Sequence, residues 1–156
     1  QTSIRLYLIK FFILLIFLQL IIGAFVSGMD AGKIYNSWPM MGSNFFPDDS
    51  KYNEFLSLKV FDNPSIVQFL HRLLAYLIVV NYIYLLILAF KEINKVVLKP
   101  VLIIGIVLLF QVGLGILTIL SGVKIVYASL HQINSIFIIL SALYFLYISK
   151  YKDVTN

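Results

Sequence analysis

Two histidines, His71 and His131, are the only ones in a chain of 156 residues, and each stands near one end of a long apolar segment. They precede the lysines that close those segments, Lys91 and Lys150, by 20 and 19 residues. At a helical rise of about 1.5 Å per residue, both imidazoles lie roughly 30 Å from the same boundary if the two helices run the same way. Equal depth is what a shared metal requires. Cysteine is absent, which excludes disulfides, thiolate metal sites and cysteine nucleophiles and leaves histidine and carboxylate as the strong ligands. Two ligands are few for a closed zinc or copper site. A heme supplies four ring nitrogens of its own, and two imidazoles complete its iron. The competing reading makes each histidine a hydrogen-bonded structural group, or a proton relay, inside a helix bundle.

Other polar residues fall close to this pair. Arg72 follows His71 and is the only charge deep in its segment. A guanidinium there needs a partner, for which heme propionates are suitable, or it snorkels to lipid phosphate. Asp30, four residues after the first apolar run, is the candidate for proton transfer, because a carboxyl beside an apolar wall holds its proton more tightly. Its alternatives are a helix cap and a solvated loop acid. Gln132, Asn81 and Asn134 are read as hydrogen bonds between helices.

The elements that position these residues are set by composition. With 61% hydrophobic and 12% charged residues, and a mean hydropathy of +0.96, the chain has too little polar surface to cover a soluble globule of its size. Its apolar runs are Leu6 to Val26, about Phe69 to Phe90, about Val97 to Leu120, and Ile125 to Ile148. Each is long enough for a hydrocarbon core that takes about 20 helical residues. β-branched residues are frequent, but uninterrupted runs in lipid must satisfy their own backbone, which predicts helices. Pro100 falls where a helix start tolerates it. The expectation is an all-α, integral membrane four-helix bundle, with residues 1–156 as one domain.

Arg5 and Lys10, then Lys91, Lys95 and Lys99, then Lys150 and Lys152 mark one face, expected to be cytoplasmic or matrix-facing with both termini inside. The net charge of +5 is therefore read as a topology signal, and nucleic acid is not expected as a partner. The chain opens on Gln1 and enters an apolar run almost at once, which reads as a fragment or a processed chain with a retained first span. The long outer loop between the first two spans, Ser27 to about Gln68, has three lysines against five acids. It carries the only tryptophan, Trp38, with Tyr35, Phe45, Phe46, Pro39 and Pro47, a composition suited to the bilayer interface. It is either a lid over what the histidines bind or a simple interfacial cap. A weak repeat is also present: Gln19 and Gly23 echo Gln111 and Gly115, each span ends in Ser-Gly, and a Leu-His pair follows in the next span. This predicts approximate two-fold symmetry with a cofactor on the axis, the glycines permitting close approach.

The strings GAFVSGMDAGKIYNSWPMMG, QFLHRLLAY and QVGLGILTILSGVKIVYASLHQ together resemble heme A synthase, and essentially the whole chain is similar to the C-terminal half of that eight-helix family. Asp30, Gly32, Tyr35, Asn36 and Pro39 match its acid-glycine-Tyr-Asn-x-x-Pro loop, His71 and Arg72 its first His-Arg, and His131 and Gln132 its second His-Gln. The resemblance implies oxidation of a heme O ring methyl to a formyl group, giving heme A for cytochrome c oxidase. It implies a heme b held by His71 and His131 here, with the substrate handled by the other half and this half inactive alone. It further implies a bacterial or mitochondrial inner membrane, heme O synthase or oxidase assembly proteins as neighbours, and leaves a homo-oligomer open. The rival is a membrane cytochrome b-type electron carrier, which commonly uses four ligating histidines rather than two.

Overall fold

The computed structural model describes residues 6–154 apart from 56, 93 and 94, and excludes the side chains of 58, 59 and 152–154. Arg5 thus lies outside the described residues, as do the side chains of Lys59 and Lys152. The elements are α1 (Leu6–Gly28), α2 (Tyr52–Phe55), α3 (Pro64–Lys91), α4 (Leu98–Leu120) and α5 (Ile125–Val154), with short 3-10 turns in the connections. Four of these helices are long and apolar enough to cross a membrane, which makes the chain a multi-pass helical membrane bundle. Outward-facing positions agree: Leu109 is 76% exposed and Ile125 77%, a surface that suits lipid and not water.

Helix α3 begins five residues before the apolar run because its start is set by a cap rather than by hydropathy. Asn63 accepts hydrogen bonds from the backbone N–H groups of Ser65 and Ile66, and Pro64 occupies the first helical turn. Pro100 sits in the first turn of α4, where it removes no helical hydrogen bond. Between α4 and α5 the chain turns through Gly122 (φ 69°) and Val123 (φ 61°). Left-handed backbone suits glycine, and a β-branched residue holds it only where surrounding contacts impose it.

Around the bundle, α1 packs against α3 and α5, and α4 packs against α5 and α3, so α3 faces α5 across one diagonal and α1 faces α4 across the other. The packed core lies at one end. It is built from Ile9, Phe12 and Ile16 of α1, Leu85 and Ala89 of α3, Val101 and Ile104 of α4, and Ala142 and Phe145 of α5. Lipid is as apolar as these side chains, so this end is held by close packing and small residues. Gly105 shows how close: a methyl group there would overlap the Tyr82 hydroxyl of α3. The opposite end, where both histidines lie, is hollow.

Candidate functional site

A cavity of about 400 Å³ occupies that hollow end, in the range of small-molecule and cofactor pockets. Its walls are mostly apolar, with small residues Gly23, Ala75, Gly115 and Ala128 where larger ones would fill it. His71 on α3 and His131 on α5 meet here across the diagonal, their ring centroids 6.5 Å apart and their planes at 71°. A methyl group added at Gly23 would lie 3.2 Å from His71 Cε1, and one at Gly115 would lie 3.0 Å from His131 Cε1. The glycines of the repeat are therefore the places where the two imidazoles rest on neighbouring helices.

The repeated glutamines prove equally specific. Gln19 Nε2 of α1 lies 3.2 Å from His71 Nε2 and donates to the His71 carbonyl at 3.0 Å. Gln111 Nε2 of α4 lies 3.4 Å from His131 Nε2. A side-chain amide N–H only donates, so both Nε2 atoms carry the lone pair and both Nδ1 atoms carry the proton. On the α4–α5 side the network continues. His131 Nδ1 donates to the Gln111 carbonyl at 3.0 Å, and Asn134 donates to Gln111 Oε1 at 2.8 Å and to the Val107 carbonyl at 3.0 Å. On the α1–α3 side His71 Nδ1 and Gln19 Oε1 are buried with no partner among the described residues. Sequence reading took these glutamines only as markers of a repeat; their position one helix before each Leu-His was the available signal for a role.

The loop closes the mouth. Asp30, Gly32, Lys33 and Trp38 line the cavity from above. Arg72, 6% exposed, donates to the Tyr35 carbonyl at 3.2 Å and the Met40 carbonyl at 3.3 Å, and Gln68 donates to the same Tyr35 carbonyl at 3.0 Å. From the other side Asn36 donates to the Ile119 carbonyl of α4 at 3.0 Å. The segment 30–40 is thereby tied to two helices above the cavity. Arg72 also keeps a buried Nε without a partner among the described residues. Asp30 stands at the rim in an ion pair with Lys33 at 2.7 Å, and its side chain is largely exposed. That is a lysine-paired carboxylate, not the enclosed carboxyl that proton transfer would favour. Asn134 does join two helices as expected; Asn81 Oδ1 is buried without a partner among the described residues. The described residues contain no cluster of three or more metal-ligating side chains.

Farther out, Asp48 organises the loop. It accepts from the Ser43 backbone N–H and from Asn44 Nδ2, both at 2.6 Å, and the Ser43 bond followed by the Asn44 bond holds its carboxyl below the usual range. Gly42, at φ 80°, leaves the space this carboxylate occupies. A depressed carboxyl stabilises the fold above its unfolded pKa and loses that contribution as pH falls through the folded value. The loop is accordingly expected to keep its order at neutral pH and loosen below about pH 4. Trp38 fluorescence should report this, and Asp48→Ala should loosen the loop already at pH 7.

With this geometry established, comparison with known proteins is informative. The sequence model of the cytochrome oxidase assembly protein family matches residues 1–143. The chain belongs to this family. Its curated relatives include the heme A synthase of Pelagibacter ubique, 48% identical over 145 residues that make up 90% of this chain and 40% of the relative. Those of Rickettsia bellii and Wolbachia pipientis wMel are 44% and 37% identical, over 80% and 94% of the chain and 37% and 41% of their own lengths. The chain thus spans about two fifths of the relatives it matches. No solved structure matches it. The family resemblance read from the loop and the two histidine segments is therefore borne out, as is the helical membrane bundle.

Proposed function

We propose that this chain is the heme-binding, C-terminal four-helix unit of a heme A synthase, the enzyme that converts a heme O ring methyl to a formyl group to supply heme A to cytochrome c oxidase. In this reading His71 and His131 would hold the iron of a heme b through their imidazole nitrogens. The observation that carries it is the pair of imidazoles lining one cavity with their ring centroids 6.5 Å apart. Metal–imidazole bonds of about 2 Å on either side of one atom would place the centroids about 6 Å apart. The chemistry of the donors also fits, since both Nε2 lone pairs are free of protons and the glycines let the rings pack closely against α1 and α4.

A heme b held by these two imidazoles would supply one-electron transfer. The chain's residues do the rest. The Gln111 carbonyl, which accepts from His131 Nδ1, sets the ring rotation and tautomer of that histidine, as the partners of metal ligands commonly do, while the amides of Gln19 and Gln111 hold the Nε2 lone pairs when no metal takes them. Arg72 offers its unpartnered Nε toward propionates while its other nitrogens secure the loop. Trp38 and the segment around it exclude water from the mouth. The lysine-rich packed end faces the cytoplasm or matrix under this proposal, which puts the cavity near the outer surface of a bacterial or mitochondrial inner membrane. Heme O is the substrate of the whole protein, its oxidation belongs to residues beyond this unit, and this unit alone leaves heme O unchanged.

The purified chain, supplied with heme b, should give a low-spin optical spectrum at a stoichiometry near one heme per chain. The double substitution His71→Ala with His131→Ala should abolish it. Binding of heme with an unchanged spectrum in the double variant would remove the ligand assignment. In full-length protein, chromatography of extracted hemes should show heme A formation, which a plain electron carrier of the cytochrome b type would not support.

A further inference from the structure

The two halves of the repeat differ in the atoms behind the two imidazoles. His131 is gripped at both ring nitrogens by one residue: Gln111 takes its Nδ1–H on the backbone carbonyl at 3.0 Å and presents Nε2 to its lone pair at 3.4 Å. Gln111 is itself fixed by Asn134 at 2.8 Å. His71 has no such backing. Its Nδ1 is buried without an acceptor among the described residues, and Gln19 Oε1, the atom equivalent to the one Asn134 holds, is buried and unpartnered as well.

The difference has a chemical consequence. An imidazole whose distal N–H donates to a carbonyl is more basic at the other nitrogen and is fixed in orientation, so it is the stronger ligand. One whose distal N–H is buried without an acceptor gains neither advantage. It also carries an unmet hydrogen-bonding group, a cost that ligation at Nε2 does not relieve. Off a metal, each imidazole finds an amide donor in place, Gln19 Nε2 at 3.2 Å from His71 Nε2 and Gln111 Nε2 at 3.4 Å from His131 Nε2, so what separates the two histidines is the backing of Nδ1.

Resting on the heme reading above, we propose that the two ligands are unequal: His131 is the permanent anchor of the iron and His71 the one that yields, opening the iron to a small neutral ligand such as carbon monoxide on the α1–α3 side. The exchange is a simple ligand substitution. His71 Nε2 would leave the iron with its lone pair and accept the Gln19 amide N–H, and carbon monoxide would donate its own lone pair at the freed position, with no change in oxidation state.

The test uses the full chain loaded with heme b and reduced under carbon monoxide. Wild-type protein should form a carbonyl adduct, and His71→Ala should keep its heme as a five-coordinate species that binds carbon monoxide about tenfold faster or more. His131→Ala should release heme to apomyoglobin about tenfold faster than His71→Ala. Because either variant could perturb folding, the wild-type adduct is also photolysed. The iron–histidine vibration of the photoproduct should coincide with that of His71→Ala and sit at the high frequency of a hydrogen-bonded imidazole. Equal heme loss from the two variants, no carbonyl adduct in the wild type, or a photoproduct matching His131→Ala would each overturn the proposal. Spectra unchanged in both variants would instead remove the heme reading on which it rests.

Discussion

Gly115→Leu is expected to strip heme from the purified protein while leaving the bundle helical. A Cβ at this position already lies 3.0 Å from His131 Cε1 and 3.4 Å from Nδ1, tighter than ordinary contact, and leucine extends three carbons farther into the cavity. Overpacking of a fitted space costs about 1–3 kcal/mol, which corresponds to roughly 5- to 150-fold in an equilibrium constant. Here the ring can escape the clash by rotating away, which breaks its alignment with a metal and its bond to the Gln111 carbonyl. The helix itself gains, since glycine in a helix interior is about 1 kcal/mol less favourable than leucine. Loss of heme and retention of helicity are thus separable. Gly113→Leu is the control: it lies on the same helix, two residues away, and a Cβ there meets nothing within 4 Å. Heme stoichiometry and the low-spin band should fall about tenfold or more in the first variant and stay unchanged in the second. Full heme occupancy in Gly115→Leu would show that His131 does not approach its ligand from the α4 face.

What was legible beforehand follows from which forces leave a mark on sequence. The four long helices were readable because a membrane span needs a continuous apolar run, and their central positions agree with the runs. The start of α3 was not, because its first five residues include Pro64, Ser65 and Gln68, the last two donating their side chains to Asp49 and to the Tyr35 carbonyl of the loop, and a hydropathy reading skips them. The signal was Asn63 followed by Pro64, a cap with proline behind it. His71 and His131 were found from their isolation and equal depth, and the structure brings them together across one diagonal. Their partners Gln19 and Gln111 were visible only as a repeat, since nothing local tells a glutamine facing a histidine from one facing lipid headgroups or another helix. Arg72 illustrates the limit most clearly. Its burial could be anticipated, but its contacts with the carbonyls of Tyr35 and Met40 depend on how a 40-residue loop returns to the bundle, which no periodicity encodes.

That loop closure should break cooperatively, through Gln68 and Arg72 together and not through either alone. The Tyr35 carbonyl accepts from both Gln68 Nε2 and Arg72 Nη2, and the Met40 carbonyl accepts from Arg72 Nη1 and also from Ser37 Oγ at 2.9 Å. Gln68→Leu therefore leaves Tyr35 held by the guanidinium, and Arg72→Leu leaves each carbonyl one neutral donor. A hydrogen bond to a charged group contributes about 1.5–3 kcal/mol and a neutral one about 1 kcal/mol. Leucine in place of a buried guanidinium also recovers part of its desolvation cost, which reduces the effect of the single arginine variant. In the double variant the Tyr35 carbonyl loses both side-chain donors while it stays under the lid, so the two losses should exceed their sum by about 1 kcal/mol. Hydrogen exchange of residues 33–41 should then rise roughly fivefold beyond the product of the single effects, with exchange in α4 and α5 unchanged. Strict additivity would mean that Asn36, through its bond to the Ile119 carbonyl, holds the lid without help from α3. The cavity would then be closed from the α4 side, and adding Asn36→Ala to the double variant would open it.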